Sequence, residues 1–211
     1  MITDFSLTIN NIIILVTAGI SIYASYNHEL MHKWIFSPYE TRYHRQYYRF
    51  ITSGFLHANW MHLFFNMFVL YQFGAAVEGL YGYYFNGRGE YFFVMLYFGA
   101  LFVSCLPSYF KYHNDPGYQS LGASGAVSAV LFSFIIINPF ARIGFIIPML
   151  SFPAVVWGIA YLAYEYYASK KQYDNISHDA HIMGAVYGVL FTILIRPTFV
   201  VELINRVANY F

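Results

Sequence analysis

Apolar residues run along this chain in long stretches separated by short polar breaks, and six stretches are long enough to read as membrane helices. They cover about 11–26 (NIIILVTAGISIYASY), 60–76, 91–109, 122–137, 145–167 and 180–195. Asn138-Pro139 closes the fourth and Arg196-Pro197 the sixth, as proline after a helix does. No repeat or linker divides the sequence. The expected fold is therefore all-α, one domain over residues 1–211 built as a polytopic six-transmembrane-helix bundle. The longest connection, 27–55, carries Lys33, Arg42, Arg45 and Arg49 yet mixes in aromatic and apolar residues. Ordered structure lying in the membrane interface is expected there.

Composition supports lipid as the main solvent. Only 10% of residues are charged and 59% are hydrophobic, against about 25% charged in soluble domains; the mean hydropathy is +0.48. The 22 Tyr and 22 Phe gather in clusters such as YYRF, YGYYF and YEYY, which read as interfacial anchors. A net charge of +1 without a basic run gives no footprint for nucleic acid. The lone Cys105 excludes an internal disulfide and a cysteine-rich metal site. MITDFSLTINN lacks a basic n-region, so a cleaved signal peptide is not expected.

Polar side chains inside spans are costly and point to function. In LHANWMHLFFNM, His62 and Asn66 lie one turn apart on one helix face, while His57 points elsewhere; interhelical hydrogen bonding is the structural alternative. In LGASGAVSAV, Ser124 lies between Gly122 and Gly125 at the start of the fourth span, where unpaired N–H groups favour negative charge; a simple N-cap or packing serine is the alternative. In AHIMGAVYG, His181, Gly184 and Gly188 share a stripe, and Gly-x-x-x-Gly lets two helices approach closely in lipid. If the fourth span is the one so approached, Ser124 meets His181. A nucleophile, a general base and oxyanion donors (Asn66, His62 and the Ser124 N–H) would then be assembled for acyl transfer. No Asp or Glu is placed to orient the base, so the expected machinery is a dyad.

HANWMHLFFN, GASG and AHIMGAVYG, in that order on the second, fourth and sixth spans, resemble the rhomboid family of intramembrane serine proteases, over about residues 48–188. The resemblance implies a six-helix fold of the minimal bacterial type, cleavage of other proteins' transmembrane segments as substrates, and neither cofactor nor metal. It places the nucleophile on Ser124, the base on His181, the oxyanion contributors on His62 and Asn66, and the small sixth-span residues on Gly184 and Gly188. YRFITSGFLH looks like the family's Trp-Arg first loop, with Tyr48 in place of Trp and Arg49 matching. Ser128 stands where several bacterial members carry a Tyr that stacks on the histidine, so another aromatic or plain packing must orient the ring here.

The family topology, with the N-terminus in the cytosol, puts Arg88, Arg142, Arg196 and Arg206 inside, against Lys33, Arg42, Arg45, Arg49, Lys111, Lys170 and Lys171 outside. The positive-inside rule favours the opposite orientation. The family topology is nonetheless the one expected, because four of the outside charges fall in one structured loop. The chain length and absence of a transit peptide suggest a bacterial plasma membrane.

HELMH, from His28 to His32, matches the ligand spacing of zinc proteases, with Glu29 as base. Its only possible partner motif, NDPG, puts Asp115 in a loop instead of a span. An interfacial helix end with a Glu29–Lys33 pair is the expected role. The remaining alternatives are a non-proteolytic relative that binds membrane clients and a small solute carrier, the latter without the broken-helix repeat such proteins use.

Overall fold

The computed structural model describes residues 8–144, 151–171 and 177–210. The opening of the predicted fifth span and most of the residues read for a signal peptide lie outside them.

The described chain is a helical bundle. Helix α1 (Ile9–Tyr26) is followed by three short helices, α2 (His28–Trp34), α3 (Pro38–Tyr43) and α4 (Arg49–Thr52), and by a single 3-10 turn at Ser53–Phe55. Then come α5 (Trp60–Tyr84), α6 (Gly89–Ser104), α7 (Leu106–Tyr112) and α8 (Ser124–Ile137). A two-residue ribbon, β1 (Arg142–Ile143) with β2 (Phe152–Pro153), leads into α9 (Ala154–Lys171), α10 (His178–Ile195) and α11 (Thr198–Tyr210). Among the described residues, four helical stretches, at 9–26, 60–84, 89–112 and 178–195, are long and apolar enough to cross a bilayer, and α8 is a shorter apolar helix. The protein is a polytopic helical membrane bundle, as its apolar runs predict.

Two departures from the predicted boundaries have physical causes. The second span continues to Tyr84 and ends where Asn86 and Gly87 take positive φ, 55° and 81°. This extension holds Glu78, whose carboxylate would be costly in lipid but accepts the free N–H groups of Ile9 (3.1 Å) and Asn10 (2.8 Å) at the start of α1. The third span breaks at Cys105, and α7 restarts with Pro107 in its first turn, where the missing N–H costs nothing. The connection 27–55 is ordered, as expected. Buried Arg49 holds it by donating to the carbonyls of His32 (2.9 Å) and Ile35 (2.6 Å) and to the Gln46 side chain (2.7 Å). Arg49 is thus an internal tie and not a loop charge.

Helices α8 and α10 form the centre, with α6 packed on both and α5 packed on α8 and α6. A Cβ at Gly184 would fall on the carbonyl oxygen of Gly125, and one at Gly188 on that of Ala129, so only glycine permits this spacing. Deeper in the bundle, Tyr81, Ser133 and Thr192 exchange hydrogen bonds of 2.7–3.1 Å and tie α5, α8 and α10 together. Each such bond in lipid contributes about 0.6 kcal/mol. Helix α11 lies against the end of α8, where Arg206 donates to the Ile137 carbonyl at 2.8 Å and complements the helix's negative end.

Candidate active site

The close α8–α10 approach brings Ser124 and His181 together: His181 Nε2 lies 2.6 Å from Ser124 Oγ. Ser124 is the first residue of α8, and Ala123 before it offers no side-chain cap, so the first-turn N–H groups are left for another acceptor. Gly122 adopts φ +120°, and its N–H donates to Ser53 O at 3.0 Å; a Cβ there would run into the His62 ring. His62 therefore lies over the backbone that leads into Ser124.

Asn66, one turn further along the same face of α5, is buried, and its amide donates to the His62 carbonyl at 2.9 Å. In this structure that amide is turned back on its own helix. His57, assigned to another face on helical spacing, precedes the first turn of α5, where that spacing does not apply. Its ring meets His62 edge-on with centroids 4.9 Å apart, and its Nδ1 lies 2.8 Å from Ser21 Oγ on α1. Burial, together with the neighbouring His62, pushes the His57 imidazole down to about 3. A cavity of about 230 Å³ opens beside His57, lined by α1 and the start of α5, including Ser21, Asn59, Trp60 and Leu63.

Contrary to the expectation that no Asp or Glu is placed beside His181, an acid lies next to its ring. Glu165, 3% exposed and inside the predicted fifth span, reaches from α9 to both histidines of α10. Its Oε1 lies 3.0 Å from His181 Nδ1, an ion-pair distance at which the ring N–H is not aimed squarely at the oxygen. Its Oε2 lies 2.6 Å from His178 Nδ1. The arrangement is Ser–His–Glu, with His178 holding the far side of the carboxylate. The signal was in the sequence: one acid amid the aromatic run YLAYEYY at membrane depth, and His178 one turn before His181.

The absent Tyr at position 128 has a replacement. Tyr161 of α9 lies over the His181 ring, centroids 6.4 Å apart and planes 24° apart, and its hydroxyl meets Ser128 Oγ at 2.6 Å. The small residue on α8 leaves room for an aromatic from α9 and anchors it.

HELMH falls on α2, a separate seven-residue helix capped by Asn27. His28, Glu29 and His32 are all exposed. Among the described residues, the one cluster of three potential ligands is Glu165, His178 and His181, so HELMH lacks a third ligand there.

The family description "Rhomboid domain" fits residues 44–198. The chain belongs to the rhomboid family. This rhomboid is 31% identical over 143 residues to "Presenilin-associated rhomboid-like protein A, mitochondrial" of Danio rerio, covering 67% of this chain and 36% of that protein. It is 29% identical over 156 residues to "RHOMBOID-like protein 12, mitochondrial" of Arabidopsis thaliana, covering 69% and 46%. With the Homo sapiens presenilin-associated rhomboid-like protein the identity is 29% over 143 residues, covering 67% and 36%. The matched region spans less than half of each of these relatives. Their names are mitochondrial, which conflicts with the bacterial plasma membrane expected from the sequence. Residence in a membrane stands.

Proposed function

We propose that this rhomboid is an intramembrane serine endopeptidase that cleaves transmembrane segments of other membrane proteins. The observation that carries the reading is the 2.6 Å contact between Ser124 Oγ and His181 Nε2, made across two helices that only glycines allow so close.

In the proposed reaction Ser124 Oγ attacks the scissile carbonyl carbon while its proton passes to His181 Nε2. Glu165 stabilises the imidazolium from the Nδ1 side. The oxyanion is held by the Ser124 N–H and by the side chains of His62 and Asn66, the latter after its amide turns from the His62 carbonyl. His181 then returns the proton to the departing amine nitrogen, leaving an acyl-serine. Water hydrolyses that ester, with His181 again acting as base.

We further propose that the whole chain is one domain, since α1, outside the matched region, supplies the partners of Glu78. The proposed orientation places the connection 27–55 outside; burial of Arg49 supports this by removing one cation from the count that opposes it.

Ser124→Ala and His181→Ala are expected to abolish cleavage of a reconstituted single-span substrate while the thermal midpoint in detergent stays near wild type. A fluorophosphonate should label Ser124 in the wild type alone. Full activity in either variant ends the proposal. A folded protein that neither cleaves nor labels would instead be a client-binding relative.

A further inference from the structure

Glu165, His178 and His181 use up their chemistry only in part in the proposed reaction. His178 touches no reacting atom, and His181 Nδ1 is buried without a well-directed hydrogen bond. One donor atom from each residue lies within 4.8 Å of the others. The side chains are 4%, 4% and 13% exposed for Glu165, His178 and His181. His178 and His181 stand one turn apart on α10, so one face presents both imidazoles, and α9 brings the carboxylate up to it.

We propose that these three side chains form a binding site for a divalent transition cation of the zinc class, and that filling it switches the Ser124–His181 pair off. Two imidazoles and one carboxylate are a donor set that suits zinc, and its nitrogens disfavour magnesium and calcium. Bonds of about 2.0–2.2 Å in a tetrahedron put donor atoms roughly 3.3 Å apart. The present separations are 2.6 Å from Glu165 Oε2 to His178 and 3.0 Å from Glu165 Oε1 to His181, and one donor atom from each residue lies within 4.8 Å of the others, so tetrahedral spacing is reached by shifts of about 1.5 Å or less. His178 is the first residue of α10, and the site therefore lies at a helix end and not in the middle of the bundle.

Inhibition follows from the tautomer. As general base, His181 needs its proton on Nδ1, facing Glu165, and a lone pair on Nε2, facing Ser124. A cation on Nδ1 requires the lone pair there, and the proton of the neutral ring moves to Nε2. Nε2–H then donates to Ser124 Oγ and can take no proton from it. Protons balance: the ring stays neutral and only the nitrogen that carries the hydrogen changes. The inhibitory half rests on reading His181 as the base; the binding half does not.

The test uses full-length protein without a polyhistidine tag. Cobalt(II) is titrated into the Ser124→Ala variant, and a tetrahedral visible spectrum at one equivalent, displaced by zinc, is expected. Glu165→Gln and His178→Phe should each weaken binding by about tenfold or more, while a His28→Ala/His32→Ala double variant leaves it unchanged. Glu165→Gln is near-isosteric and decides the matter if His178→Phe fails to fold. In active protein, zinc should stop cleavage over the range that fills the site, and a chelator should restore it. Absence of the cobalt spectrum, or a spectrum lost only in the His28/His32 variant, overturns the site. Occupancy with undiminished cleavage overturns the switch. Cobalt binding by a protein that never cleaves keeps the site and removes the protease reading, whereas cleavage without cobalt binding does the reverse.

Discussion

Replacing Glu165 by Gln tests the orienting acid with almost no change of shape. In the native arrangement the carboxylate faces His181 Nδ1 at 3.0 Å, which puts the two charge centres about 4 Å apart once the ring is protonated. At an effective dielectric of about 20 that attraction amounts to about 4 kcal/mol. The carboxylate is shared with His178, and only part of the imidazolium charge has developed at the barrier. Half of the figure, about 2 kcal/mol, corresponds to about a 30-fold loss of rate, and the whole of it to about 10³-fold. The amide adds a second penalty, because its NH₂ group can face one of the two rings and favour the wrong tautomer. The expected result is a fall in kcat of about 30- to 10³-fold with KM little changed, since Glu165 is expected to touch no substrate. The assay is initial-rate cleavage of a fluorogenic transmembrane peptide in detergent and in liposomes, with the thermal midpoint recorded alongside. A Gln variant that cleaves within about threefold of wild type would refute the argument that the charge matters.

Two further outcomes follow from packing and burial. Gly184→Ala puts a methyl on the Gly125 carbonyl and must push α10 from α8; a cost of about 1–3 kcal/mol and loss of most activity are expected. Gly79→Ala, with nothing within 4 Å of the new carbon, should leave both stability and activity intact, and equal behaviour of the two variants in a melting assay would contradict the geometry. His57 titrates at about 3 in the folded protein against 6.5 for the free side chain, so its contribution is complete above pH 6.5 and is lost as pH falls toward 3. Between pH 7 and pH 5 the folded state should lose about 2 kcal/mol through this group. The drop in thermal midpoint over that interval should shrink in His57→Gln, and an unchanged drop would show that another group is responsible.

Most of this architecture can be read from the sequence because lipid makes the rules severe. A span must be long and apolar, and a helix pair that touches backbone to backbone must show its glycines. The close approach at Gly184 and Gly188 and the meeting of Ser124 with His181 are legible for that reason. Glu165 is not, because an acid inside an aromatic run has the pattern of an interfacial anchor, and only the docking of α9 on α10 brings its carboxylate to the histidines. Sequence spacing also misplaced His57: helical periodicity means nothing for a residue that precedes the helix. The pairing of Ser128 with Tyr161 depends on two elements distant in the chain, and only their docking reveals it.

The carboxylate of Glu78, seated on the first peptide groups of α1, has a consequence for biogenesis. Until those two helices meet, the bilayer holds a carboxyl group without its partners. Docking of α1 on α5 is therefore what satisfies the carboxylate and the helix start together. A fragment trimmed to residues 44–198 would have to insert with that carboxylate uncompensated.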